Sequence, residues 1–119
     1  MRRCRASIAF AALFVLALSA CGGALTDGKA QFYKGRYAEA KRTFVIAEPE
    51  SRTWTDRKRA EYALYRGLTH GALGDRPQAS VWLREAKAIE DAHPGALSSE
   101  DAERLKLGLE QVDDAVTRP

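Results

Sequence analysis

Apolar positions fall into two regimes along the chain. From Ile8 to Ala20 they run almost without interruption, and beyond Gly23 they recur every three or four residues between charged ones. The first run covers 13 residues, too few for a bilayer-spanning helix, which needs about 20. Arg2, Arg3 and Arg5 precede it, so the pattern is that of the basic and apolar regions of an export signal. The second regime has the period of amphipathic helices. Ala60, Ala63, Leu64, Gly67, Leu68 and Gly71 form one stripe, and Ala79, Trp82, Leu83, Ala86 and Ile89 a second. Ala102, Leu105, Leu109, Val112 and Val116 form a third. Asp75 suits an N-cap and Pro77 a first helical turn. His93-Pro94-Gly95 breaks the chain, and Ser98 or Ser99 suits the next cap. Glu100, Asp101 and Glu103 suit the positive N-terminal end of the helix that follows. Pro49 is expected to end a helix that starts near Tyr37. The pattern predicts five helices and no sheet, near 25–34, 37–47, 55–73, 76–91 and 99–116.

The apolar run ends in Leu18-Ser19-Ala20-Cys21-Gly22-Gly23. Leu-Ser-Ala-Cys resembles the lipobox of bacterial lipoprotein precursors. The resemblance implies that Cys21 receives a diacylglycerol through its sulfur, that the chain is cut before it, and that the new amine is acylated. Residues 1–20 are then a cleaved signal, 21–24 the lipidated tether, and 25–119 the folded domain. Cys4 would leave with the signal, so no free thiol would remain for a disulfide or a thiolate-bound metal. Two or more acyl chains give stable anchoring without a membrane-spanning helix. From Gly22 to Ala24 the tether reaches roughly 10 Å, which keeps the domain close to the leaflet. The absence of aspartate at position 22 implies, by the same resemblance, the outer membrane, with the domain facing the periplasm.

Loss of the signal changes the charge. Without its three arginines the chain keeps 16 basic against 16 acidic residues, so the basic balance of the full sequence argues for no nucleic-acid partner. The charges are segregated: Lys29 to Arg66 holds ten basic and five acidic residues, Glu85 to Arg118 four and nine. Such segregation can orient a partner or support head-to-tail self-association; two plain solvated faces explain it equally well. Arg57-Lys58-Arg59 near Trp54 and Tyr62 reads either as a solvated first turn or as a surface for an anionic partner or lipid headgroups.

The chain also repeats itself at an offset of 39. Gly28 aligns with Gly67, Gly35 with Gly74, Ala40 with Ala79, Phe44 with Leu83 and Ala47 with Ala86. The stretches Gly35-Arg36-Tyr37-Ala38-Glu39-Ala40 and Leu73-Gly74-Asp75, with the small and large residues after them, resemble the tetratricopeptide repeat. That family builds antiparallel helix-turn-helix pairs in which small residues allow close approach and a large residue fills the gap between units. Its period is 34 residues, so about five extra residues fall around 49–55 and lengthen the turn or the next helix. Gln31 and Arg76 stand where the family has aromatic residues. Arrays of this kind need about three repeats, and the last helix is expected to cap the two present. The resemblance implies an all-α domain that binds protein on a concave surface lined by the first helix of each pair. Carried onto this chain, that surface is Lys29, Phe32 and Tyr33 with Glu61, Leu64, Tyr65 and Leu68; the same residues could instead be internal core. Asparagine is absent from the chain, which argues against the family's clamp for a C-terminal carboxylate.

Little in the sequence carries catalysis or a cofactor. His70 lies in an apolar stripe, His93 sits beside a proline, and two histidines without cysteines do not make a zinc site. No serine sits in a nucleophile elbow, and the glycines form no phosphate-binding loop. The sequence therefore points to a membrane-anchored interaction or assembly module with a protein partner in the cell envelope. The alternative is a self-associating structural envelope protein.

Overall fold

The computed structural model describes residues 23–117, with side chains as far as Asp114. The signal, Cys21, Gly22 and the side chain of Val116 lie outside the described residues. Five helices follow one another: α1 Ala24–Tyr33, α2 Tyr37–Ser51, α3 Asp56–Ala72, α4 Arg76–Ala92 and α5 Ser99–Thr117. There is no strand among the described residues. The connections are the short stretches 34–36, 52–55, 73–75 and 93–98, so successive helices run antiparallel and pack side by side. Helix α3 is the exception to simple pairing, because it touches all four others.

Local chemistry sets the helix starts. The Thr55 hydroxyl accepts from the Lys58 amide at 3.3 Å, Asp75 from the Gln78 amide at 3.2 Å, and Ser98 from the Asp101 amide at 3.2 Å. Each side chain satisfies one of the donors that a helix start leaves open. Gly35 and Gly74 take φ of +75° and +82°, left-handed values that favour glycine, and turn the chain back at equivalent places in the α1–α2 and α3–α4 hairpins.

Those hairpins are built on the same contacts. Gly28 of α1 is buried with no room for a side chain, because a Cβ there would run into the ring of Phe44 on α2. Gly67 of α3 meets Leu83 of α4 in the same way: a Cβ would lie 2.8 Å from the Leu83 side chain and 3.0 Å from its backbone nitrogen. Ala40 and Ala79 are both fully buried. Phe44 and Leu83 fill the space that the glycines leave, and each removes an apolar side chain worth about 1.5–3 kcal/mol from water.

The expectation that Pro49 ends its helix is corrected. Helix α2 continues to Ser51, and the extra residues extend α2 and its turn, not α3. Proline removes one helical hydrogen bond, here the one to the Val45 carbonyl. Pro49 and Val45 are both exposed, so water can satisfy that carbonyl. The last turn is held from its other side. Ser51 is buried and donates to the Glu48 carbonyl at 2.6 Å, while the Glu48 carboxylate is bound by Arg66 of α3.

Gly67→Ala is expected to lower stability by about 1–3 kcal/mol through overpacking. Gly71→Ala is expected to be neutral or to stabilise by up to ~1 kcal/mol, since its Cβ would meet only the Ala79 Cβ at 3.7 Å. Urea unfolding of the two variants checks the contrast.

Candidate interaction surfaces

A helix enclosed by four others cannot be apolar on one stripe and polar on the rest. From Ala60 to His70, every residue of α3 except Glu61 and Leu68 is buried. The larger polar side chains in this span project to two sides, and each side makes a different surface.

On the side of α1 and α5 lie the residues expected to line a groove. Lys29 reaches Glu61 at 3.4 Å and lies 5.0 Å from the centre of the Tyr65 ring. Phe32 meets Tyr33 and Tyr65 edge to face, with ring centres 5.6 Å apart in each case. Tyr65 is buried, and its hydroxyl donates to Asp101 of α5 at 2.8 Å. Its single proton is thereby used, so the Tyr33 hydroxyl, 2.5 Å away, donates to the Tyr65 oxygen. Asp101 is also buried and accepts from Arg104 at 2.9 Å. A chain of hydrogen bonds thus crosses from α1 through α3 to α5. Burial, then the bonds with Tyr33 and Asp101, push the Tyr65 hydroxyl well above its ordinary pKa, and the Asp101 carboxylate raises that of Arg104. The residues expected to form an open groove are therefore brought together and largely spent on each other. Leu64 is fully buried core, Leu68 packs toward Gly108 of α5, and of these groove residues Tyr33, 58% exposed, is the one left open.

On the other side the backbones of α2 and α4 do not meet over α3. They leave a cleft of about 250 Å³ with Tyr62 and Ala63 among its lining residues. Val81, Trp82 and Ile89 of α4 add apolar wall, and Glu48, Arg52, Arg59 and Glu85 bring charge. Arg66, only 7% exposed, organises this side. Its Nη1 donates to Glu48 at 2.5 Å and to the Tyr62 hydroxyl at 2.9 Å, and its Nε to His70 Nε2 at 3.4 Å. Its guanidinium lies 4.0 Å from the centre of the Trp82 ring, a stacking that planar guanidinium favours. The Tyr62 hydroxyl donates to the Phe44 carbonyl at 2.6 Å, and the Tyr62 ring meets Trp54, Phe44 and Trp82 edge to face. Burial raises the Tyr62 pKa against the opposing pull of Arg66. Val81 is 55% exposed.

No protein-family model, curated protein or solved structure matches the chain. The functional reading therefore rests on these residues and on the sequence motifs. No described helix is long and apolar enough to cross a membrane, and no group of three or more potential ligands that could hold a metal occurs among the described residues. The cleft was not anticipated, because Trp82 reads as one more member of an inward stripe and Arg66 as one more charge. The available signal was spacing: Tyr62, Arg66 and His70 follow one another at four-residue steps and so share a helix face.

His70 is buried, with Nε2 facing Arg66 and Nδ1 without a partner among the described residues. Burial first, then the Arg66 charge, lower its pKa from the ordinary 6.5. Because the folded pKa lies below the unfolded one, the unfolded chain binds the proton more readily. Stability is full above about pH 6.5 and falls as pH drops through the window beneath it. His70→Gln is expected to flatten that part of the stability–pH curve, measured by urea unfolding across mildly acidic pH. On the opposite face, Tyr65→Phe is expected to cost about 1–3 kcal/mol by leaving buried polar groups short of a partner. The same melts measure it.

Proposed function

We propose that this chain is a lipid-anchored protein of the bacterial cell envelope, held by an acylated Cys21 at a membrane, with the outer membrane favoured. Its domain, two tetratricopeptide-like units and a capping helix, acts as a protein-binding or assembly module. The anchor reading rests on the basic, apolar and Leu-Ser-Ala-Cys segments in succession. The repeat reading is supported by the shared use of Gly28 with Phe44 and Gly67 with Leu83.

The observation that carries the binding role is the cleft between α2 and α4. It combines an aromatic and aliphatic lining with charge, in the manner of sites that seat a side chain of a partner segment. The α1–α3–α5 side suits this role less, because Tyr33, Tyr65 and Asp101 already bond across it. A second reading, self-association, is favoured by the outward face of α5. Leu107 is 52% exposed there, with Glu103 and Glu110 exposed on the same face.

Photo-crosslinking in the native envelope separates these readings. A crosslinker at Val81 or Glu85 is expected to give an adduct with a different protein, and one at Tyr33 is not. Adducts with the chain itself would favour self-association, and no adduct from either cleft position would contradict the binding role. Cys21→Ser is expected to abolish incorporation of labelled palmitate; continued labelling would contradict the anchor.

A further inference from the structure

We propose that the turn between α2 and α3, with the first turn of α3, rests on the anionic phospholipid headgroups of the leaflet that holds the anchor. Arg52, Arg57 and Lys58 are the side chains that make the contact. The inference rests on the reading of Cys21 as the acylated residue.

The geometry comes from two contacts between α1 and α3. Lys29 pairs with Glu61 and Tyr33 with Tyr65, each 32 positions apart. The two helices are therefore parallel and in register, and the same offset sets Leu25 level with Arg57 and Thr26 level with Lys58. Leu25 is four residues from Cys21. Neighbouring helix axes lie 8–10 Å apart in general, so Arg57 and Lys58 stand about one helix width to the side of the start of α1, the end from which the chain leads back to Cys21. Arg52 and Trp54 occupy the turn just before α3.

The charges are unusual for their place. Arg57 and Lys58 sit in the first turn of α3, where the helix dipole disfavours cations. Both are exposed, and neither forms an ion pair among the described residues. Arg52 is 75% exposed and reaches Glu48, itself held by Arg66, at 3.6 Å. By contrast Asp56 is paired with Arg59 at 3.6 Å and lies 3.4 Å from His93 Nε2. Asp27 lies about 200° around α1 from Lys29 and so faces away from α3. Glu50, exposed, and the paired Asp56 flank the turn in sequence, outnumbered by the three cations. The acidic start of α5 is set back: Asp101 bonds to Tyr65, eight residues or roughly 12 Å along α3 from Arg57. Cations that cost their own helix a little and stand at the end of the domain where α1 begins match a negative leaflet, which attracts each nearby basic residue. Trp54, half-buried on Tyr62, brings an amphipathic ring to the same level.

The acylated mature protein has no free thiol, so a single Thr53→Cys can carry a spin label beside the turn, and Ala72→Cys one at the far end of α3. The labelled proteins are reconstituted in phosphatidylcholine vesicles with and without phosphatidylglycerol, and collision with a headgroup-tethered nickel chelate is measured. With phosphatidylglycerol the label at 53 is expected to gain accessibility and the label at 72 is not. R52Q/R57Q/K58Q should remove the gain, at about fivefold in the docked-to-undocked ratio per cation, and high salt should weaken it. Equal accessibility at 53 in both vesicles, or a gain that survives the triple substitution, overturns the proposal. Intact mass separates the two failures. An acylated protein with no gain removes only the headgroup surface, whereas a bare Cys21 sulfur removes the anchor and the surface with it.

Discussion

Enclosure of α3 by four neighbours is the constraint on which the domain depends. A helix in that position gains apolar burial on every face, but any polar side chain it carries must then find a partner away from water. Five of its buried residues are tyrosine, arginine, threonine or histidine. Tyr62 finds the Phe44 carbonyl, Tyr65 finds Asp101, Thr69 finds the Tyr65 carbonyl, and Arg66 finds Glu48. Those partners lie on α2, on α5 and on α3 itself. The polar groups thus fix which helices lie against α3, while Phe44 and Leu83 supply the close packing.

Two unlike surfaces follow. Toward α1 and α5 the polar groups of α3 are paired across the helices, and the face is closed by side chains that bond to each other. Toward α2 and α4 the buried arginine stacks on Trp82 and leaves the lining of a cleft open to solvent. The parallel register of α1 and α3 sets the basic turn at the end of the domain where α1 begins, and the seal between Tyr65 and Asp101 stands two helical turns along α3 from it. The proposed cleft and the proposed headgroup surface adjoin, because Arg52 belongs to both.

Much of the helical layout was legible because it follows from local rules. Asp75 and Ser98 cap where short polar side chains should, Gly35 and Gly74 turn where a left-handed φ is needed, and the alanines and glycines at an offset of 39 mark close helix contacts. Pro49 misled because the hydrogen bond it removes lies on the solvent side, where the loss is small, while tertiary contacts hold the rest of the turn. The groove residues lie on neighbouring helices, where Lys29, Phe32, Tyr33, Glu61 and Tyr65 meet. Whether they face a partner or each other depends on α5, whose docking no pattern within α1 or α3 specifies. The role of Arg66 was illegible for the same reason: an arginine reads as solvated until Glu48 and Trp82, 18 and 16 residues away in sequence, are placed beside it.

Native-state hydrogen exchange tests the central place of α3 most directly. If the helix is the spine that the other four share, its amides from Ala60 to His70 exchange only through global unfolding, with protection equal to the full unfolding free energy. The ends of α1 and α5 then open first. Exchange of those α3 amides through a local opening, while α4 stays protected, would contradict the account.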